Sequence, residues 1–152
     1  MAHRRDTANP GRSDLDQQVG FMLRQAQQAV FADFIASQNA PATRPGQFSI
    51  LALVGRSPGL TQARVCAGLG IKRANMVVAI DHLESLGLVR RDASAADRRT
   101  NRLHLTPAGQ RALQRALETQ AAQEARIVRL LGTAGRKALL KQLAQLSKLS
   151  AQ

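Results

Sequence analysis

Apolar residues recur along this chain at two periods, and the places where the period changes divide it into elements. Leu15, Val19, Met22, Leu23, Ala26, Val30 and Phe34 are spaced by threes and fours, which predicts a helix from Asp14 to about Ser37. Asp14, with Gln17 three residues on, reads as its cap. A linker from Asn39 leads to Pro45, whose fixed φ suits the first turn of a second helix carrying Phe48, Ile50, Leu51 and Val54. Ser57-Pro58-Gly59 is a turn, Thr61 a cap, and Gln62 to Leu69 a short third helix that Gly70 ends. Lys72-Arg73-Ala74-Asn75 opens a fourth helix to Leu86, with Met76, Ala79, Ile80 and Leu83 on one face.

The period then falls to two. Leu88 to Asp92 reads as a strand, Ala93 to Arg99 as a polar loop, and Thr100 to Leu105 as a second strand in which Leu103 and Leu105 alternate with Arg102 and His104. The helical period returns at Thr106-Pro107, a hydroxyl cap followed by a first-turn proline, and runs to about Leu131 before Gly132. Thr133 caps a last helix in which Leu139, Leu140, Leu143, Leu146 and Leu149 recur at about 3.5 residues, a stripe that calls for a partner helix. A subunit interface built from both ends of the chain satisfies it.

Two short helices around a glycine turn, followed by a hairpin, make a DNA-reading module. With Met76 and its neighbours facing inward, Arg73, Asn75, Val78 and His82 face out. Arg and Lys suit guanine and Asn suits adenine on the floor of a major groove. Val77 and Val78 are odd on a solvent face: either one of them is core, or an apolar contact with thymine methyl groups accounts for it. The hairpin tip carries Arg98 and Arg99; a guanidinium on a projecting loop suits the minor groove, and Asp97 can hold its side chain in place.

The segments Gln47-Phe48-Ser49-Ile50-Leu51, Leu60-Thr61-Gln62, Leu83-Glu84-Ser85-Leu86-Gly87-Leu88-Val89-Arg90 and Asp97 to Gly109 resemble the multiple-antibiotic-resistance regulator (MarR) family. Most specific is the hairpin pattern: an Asp, one residue, an Arg, then a strand ending Leu105-Thr106 with Gly109 three positions later. The resemblance spans roughly residues 14 to 150 and implies a mainly α fold, a winged helix-turn-helix with N- and C-terminal dimerisation helices. It further implies a homodimer on a pseudo-palindromic operator of double-stranded DNA, usually a repressor released by a small-molecule effector; where the neighbouring genes encode aromatic-acid catabolism, as is common in the family, an aromatic acid or its CoA thioester is the leading candidate. On this reading Arg99 is the minor-groove arginine, and the DNA-facing set is Thr61, Gln62, Lys72, Arg73, Asn75, Val78, Asp97, Arg98 and Arg99. The effector set, at the junction of the first, second and fifth helices, is Arg24, Phe31, Phe34, Phe48 and Ser49, although phenylalanines at helical spacing also serve simply as core. Two departures stand out: Arg44 precedes Pro45 where the family often has a capping Thr, and Val77 and Val78 stand where polar residues are common.

Composition agrees and excludes rivals. The 152 residues suffice for one domain, divided as a flexible basic arm (1–13), a helical dimerisation and effector region (14–56 and 107–150) and the winged helix-turn-helix (57–106). Twenty-two Lys and Arg against 10 Asp and Glu, a formal charge of +12, call for a polyanionic partner. Four Phe with no Tyr or Trp disfavour single-strand binding by base stacking. There is no long apolar run and no signal-peptide pattern, so the expected location is cytoplasmic, with no membrane partner. The lone Cys66 reads as an inert core thiol, and the dispersed His3, His82 and His104 form no metal set. No phosphate loop or nucleophile motif appears, and the chain reads as a non-enzyme without a cofactor. The remaining alternative is an architectural protein that coats DNA through charge alone and answers to no effector.

Overall fold

A computed structural model of the chain describes residues 12–37, 45–93 and 101–151. In order these form α1 (Arg12–Leu15), α2 (Val19–Ala36), α3 (Pro45–Arg56), β1 (Leu60–Thr61), α4 (Gln62–Leu69), α5 (Arg73–Ser85), β2 (Val89–Ala93), β3 (Asn101–Leu105) and α6 (Pro107–Leu146), closed by a 3₁₀ turn at Ser147–Ala151. The strands make an antiparallel sheet in the order β1-β3-β2. This is the mainly helical winged helix-turn-helix anticipated from the period changes.

Local chemistry places most boundaries. Thr61 holds an extended conformation and its hydroxyl accepts from Arg64 N at 3.3 Å, while Gly70 ends α4 in the left-handed region at φ 62°. Thr106 repeats the device for α6, accepting from Gly109 N at 3.0 Å with Pro107 behind it. Gly132 (φ 71°, ψ 162°) interrupts α6, so the helix expected to stop there breaks and resumes to Leu146.

Two elements differ from expectation. The first helix does not run unbroken from Asp14. Arg12–Leu15 closes on itself, with Leu15 O accepting from Gln18 N at 2.9 Å, and α2 starts at Val19 with Gln18 as an N-cap that makes no side-chain bond. β1 was not anticipated; two residues become a strand only because Leu60 and Thr61 pair with Leu103 and Arg102.

The core gathers Ile50, Leu51 and Val54 of α3, Val65 of α4, Met76, Ile80 and Leu83 of α5, Val89 of β2, Leu103 of β3 and Ala112 of α6. Cys66 is half-buried against this cluster. Every element of the helix-turn-helix and its hairpin contributes at least one side chain, so α5 and the hairpin are fixed relative to one another by shared burial. α2 and the far half of α6 are clothed differently. In α2 Phe34 is buried, whereas Val19, Met22, Leu23, Val30, Phe31 and Ile35 are exposed, as are Leu130, Leu131, Leu139 and Leu140 on the far half of α6.

Candidate nucleic-acid interface

α5 is oriented by its inward stripe. With Met76, Ile80 and Leu83 fully buried, the opposite face carries Ala74, Asn75, Val78 and His82 to the surface, and Lys72 and Arg73 stand exposed at its start. Both valines are outside the core: Val78 is 69% exposed and Val77 38%. Thr61 and Gln62, half-buried, sit at the N-terminus of α4, with the Thr61 hydroxyl committed to its cap. The structure thus brings Lys72, Arg73, Asn75 and Val78 onto one helix. Asp97, Arg98 and Arg99 lie outside the described residues.

The hairpin is tied to α5 by an arginine that sequence reading passed over. On β2 the pairs Val89↔Leu105 and Arg91↔Leu103 lie on the face turned to the core, while Arg90↔His104 and Asp92↔Arg102 lie on the other. An arginine on the inner face needs a carboxylate. Arg91, half-buried, bridges two residues one turn apart on α5, its Nη2 to Asp81 and its Nη1 to Glu84. The signal was available: an inward strand position filled by Arg, preceded by acids at i and i+3 of a helix. On the outer face Arg90 Nη1 donates to Asp92 Oδ1 at 2.6 Å, His104 Nε2 lies 3.7 Å from Asp92 Oδ2, and Arg102 Nη1 donates to Gly59 O at 3.1 Å.

The proposed effector residues are partly brought together. Phe34 and Phe48 pack with ring centroids 5.7 Å apart at an interplanar angle of 46°, joining α2 to α3. Phe31 is exposed, Ser49 is half-buried, and the Arg24 guanidinium stands 5.4 Å from the Phe21 ring centroid. Beside this junction is a polar cluster not anticipated from sequence. Gln123, only 7% exposed, donates from Nε2 to Val30 O and to Asp33 Oδ2, both at 2.7 Å. Arg126 Nη2 donates to Asp33 Oδ2 at 2.7 Å and to Ser37 Oγ at 2.8 Å. The buried Nε of Arg126 has no partner among the described residues. A cavity of about 440 Å³ opens elsewhere, between the end of α3, the hairpin and the start of α6, lined by Val54, Pro58, Arg90, His104 and Gln110, and by none of the five anticipated residues.

Hydrogen bonds from Arg126 and then Gln123 hold the Asp33 carboxyl below the usual carboxylate range, against a smaller desolvation effect in the other direction. A carboxyl depressed on folding stabilises the fold above its unfolded pKa, and that contribution disappears as the pH falls through the lower, folded value. Asp33→Asn is therefore expected to be less stable than the parent at pH 8 and at pH 5, with the difference shrinking only below about pH 4. Urea denaturation across that range checks it; a difference that closes near neutrality would remove Asp33 as its source.

Among the described residues no group of His, Cys, Asp and Glu could hold a metal ion, and no helix is long and apolar enough to cross a membrane.

Residues 43–100 match the model of the MarR family. A Thauera aromatica protein described as a candidate transcriptional regulatory protein for the hcr operon is 33% identical over 121 residues, spanning 74% of this chain and 73% of its own. Among solved structures, the transcriptional repressor CouR bound to a 23-mer DNA duplex is similar with a TM-score of 0.82 at 39% identity, over 88% of this chain and 95% of that one. CouR bound to p-coumaroyl-CoA gives a TM-score of 0.82 at 38% identity, over 89% and 95%. The PcaV regulator of Streptomyces coelicolor, in complex with its natural ligand, shares the fold over 99% of both chains with a TM-score of 0.83 at 21% identity.

Proposed function

Since this chain belongs to the MarR family and is a transcriptional repressor of that family rather than an enzyme, we propose that it acts as a homodimer on a pseudo-palindromic operator and is released from it by a small-molecule effector. The observation that carries the reading is the outward face of α5, led by Lys72 and Arg73 and continued by Asn75 and Val78, on a helix whose other face is locked into the core. Thr61 and Gln62, at the start of α4, lie against the duplex backbone, where a helix N-terminus favours phosphate. The similarity to CouR bound to a DNA duplex supports the same docking. Two modules one helical turn of DNA apart, about 10 base pairs, bind as one bivalent ligand.

The exposed apolar faces of α2 and of distal α6, belonging to the two end regions of the chain, support the dimer. At the hairpin tip Arg99 enters the minor groove, Asp97 orients it and Arg98 meets the backbone. The effector is an aromatic acid or its CoA thioester, as supported by the similarity to CouR bound to p-coumaroyl-CoA. Its body packs against Phe31, Phe34, Phe48 and Ser49, with Arg24 pairing its anionic group. Footprinting upstream of the gene, followed by competition with p-coumaroyl-CoA and with simple aromatic acids, tests both halves. A symmetric protected site with a preference of about a thousandfold or more over random duplex is expected; equal affinity for both would instead leave a protein that coats DNA by charge.

Arg99→Ala is expected to weaken operator binding about tenfold or more, the cost of a charge-assisted contact of about 1.5–3 kcal/mol. Sedimentation should leave the assembly unchanged, and a gel shift at parental affinity would remove the wing arginine from recognition.

A further inference from the structure

The exposed face of α5 has an apolar centre. At about 100° per residue the direction opposite Met76, Ile80 and Leu83 passes through Ala74 and Val78, one turn apart. Ala74 is exposed, Val78 is 69% exposed in the middle of the face, and Val77 stands on its shoulder at 38%. Asn75 and His82 lie along one side of the strip, Asp81, occupied by Arg91, lies on the other side, and Arg73 is exposed at the first turn of the helix. Valine is a poor choice for an exposed mid-helix position, because its branched side chain loses χ1 freedom against the preceding turn and leaves hydrocarbon in water. The same stiffness holds its isopropyl group in one direction, ready for contact without further ordering.

In a major groove the apolar group offered by the base edges is the 5-methyl of thymine. Phosphate and sugar offer nothing that an isopropyl group favours, whereas the cations at the head of the helix suit the anionic duplex around it. Ala74 and Val78 are about 6 Å apart along the helix axis, and successive bases on one strand about 3.4 Å, so the strip spans one to two base steps. We propose that Val78, with Ala74 beside it, reads the 5-methyl group of thymine at the centre of each operator half-site, between purines read by Arg73 and Asn75. This rests on α5 being the major-groove helix, as argued under the proposed function, and adds the base chemistry its centre selects.

The test uses the full chain and the duplex it protects in footprinting, remade as a set in which each thymine of a half-site is replaced singly by deoxyuridine. That change deletes one methyl group and keeps base pairing. The expected result is a loss of about fourfold in affinity at one or two neighbouring positions, the worth of one buried methyl-sized group, and parental affinity at the others. In Val78→Ala, which removes only exposed atoms, the thymine and deoxyuridine duplexes should bind alike at that position while the melting temperature is unchanged. If the parent binds every deoxyuridine duplex as tightly as the all-thymine one while still preferring the operator to random sequence, the methyl reading is overturned and the repressor reading stands. If Val78→Ala keeps the parental difference, the methyl is read by another residue and the assignment to Val78 is overturned. A protein with no preference for the operator at all would overturn both readings together.

Discussion

Replacing Gly109 with Ala is expected to lower the melting temperature by roughly 6–12 °C, the consequence of a destabilisation of about 3 kcal/mol in a chain of this size. A Cβ built at Gly109 would lie 1.9 Å from the carbonyl oxygen of Leu88 and 2.9 Å from its carbonyl carbon. The obstacle is backbone, and no rotamer change relieves it. That carbonyl is already in use: Leu88 O accepts from Thr106 N at 3.1 Å, and the Thr106 hydroxyl also donates to Gly87 O at 2.6 Å while capping α6 through Gly109 N. Making room means lifting the first turn of α6 from the entry to the hairpin, which breaks the cap and draws Val89 and Ala112 apart in the core. Gly46→Ala is the control, since a Cβ there meets nothing within 4 Å and α3 should gain about 0.5–1 kcal/mol from the better helix former. Both variants should be melted at one protein concentration, because the midpoint of a protein that associates depends on it. Gly109→Ala melting within about 2 °C of the parent would show that the hairpin and α6 are not packed as described.

What was legible in the sequence was whatever local chemistry decides. Thr61 and Gly70 bracket α4 at Gln62–Leu69, the expected span, because a hydroxyl cap and a left-handed residue act within one turn. Gly132 declared its break for the same reason. What the chain could not announce locally was misplaced. Asp14 and Gln17 satisfy a capping pattern equally well in one long helix or at a one-turn helix followed by a restart, and the fold takes the second course. β1 exists because β3 lies beside Leu60 and Thr61. The candidate site divides along the same line. The stripe of Met76, Ile80 and Leu83 put Arg73, Asn75 and Val78 on the surface from sequence alone, and with every buried position of α5 filled by others, both valines had to lie outside. Asp33, Gln123 and Arg126, far apart in sequence, meet only when α2 and α6 pack. Arg91 shares the inner face with Val89 by alternation, but which carboxylates it meets there, Asp81 and Glu84, is decided only when β2 packs beside α5.

Arg91→Ala is expected to reduce operator affinity at least tenfold, about 1.4 kcal/mol, while costing only about 1 kcal/mol of stability, because its carboxylate partners are 55% and 39% exposed and largely solvated. The effect on binding is larger because of where the freed charges fall. Asp81 follows Val78 by three residues and shares its exposed side of α5, so without Arg91 an unneutralised carboxylate approaches the phosphates while Glu84 is released behind it. Arg91 is also an ionic tie between β2 and α5, and its loss lets the hairpin turn relative to the helix. The two causes separate in the triple variant that adds Asp81→Asn and Glu84→Gln. If affinity returns to within a few-fold of the parent, the penalty is charge repulsion, and the gap between parent and Arg91→Ala should also narrow as salt rises. If affinity stays low and the gap ignores salt, the tie itself sets the angle between hairpin and helix. An Arg91→Ala protein that binds its operator within twofold of the parent would dismiss both accounts, leaving Arg91 with no part in how α5 meets DNA.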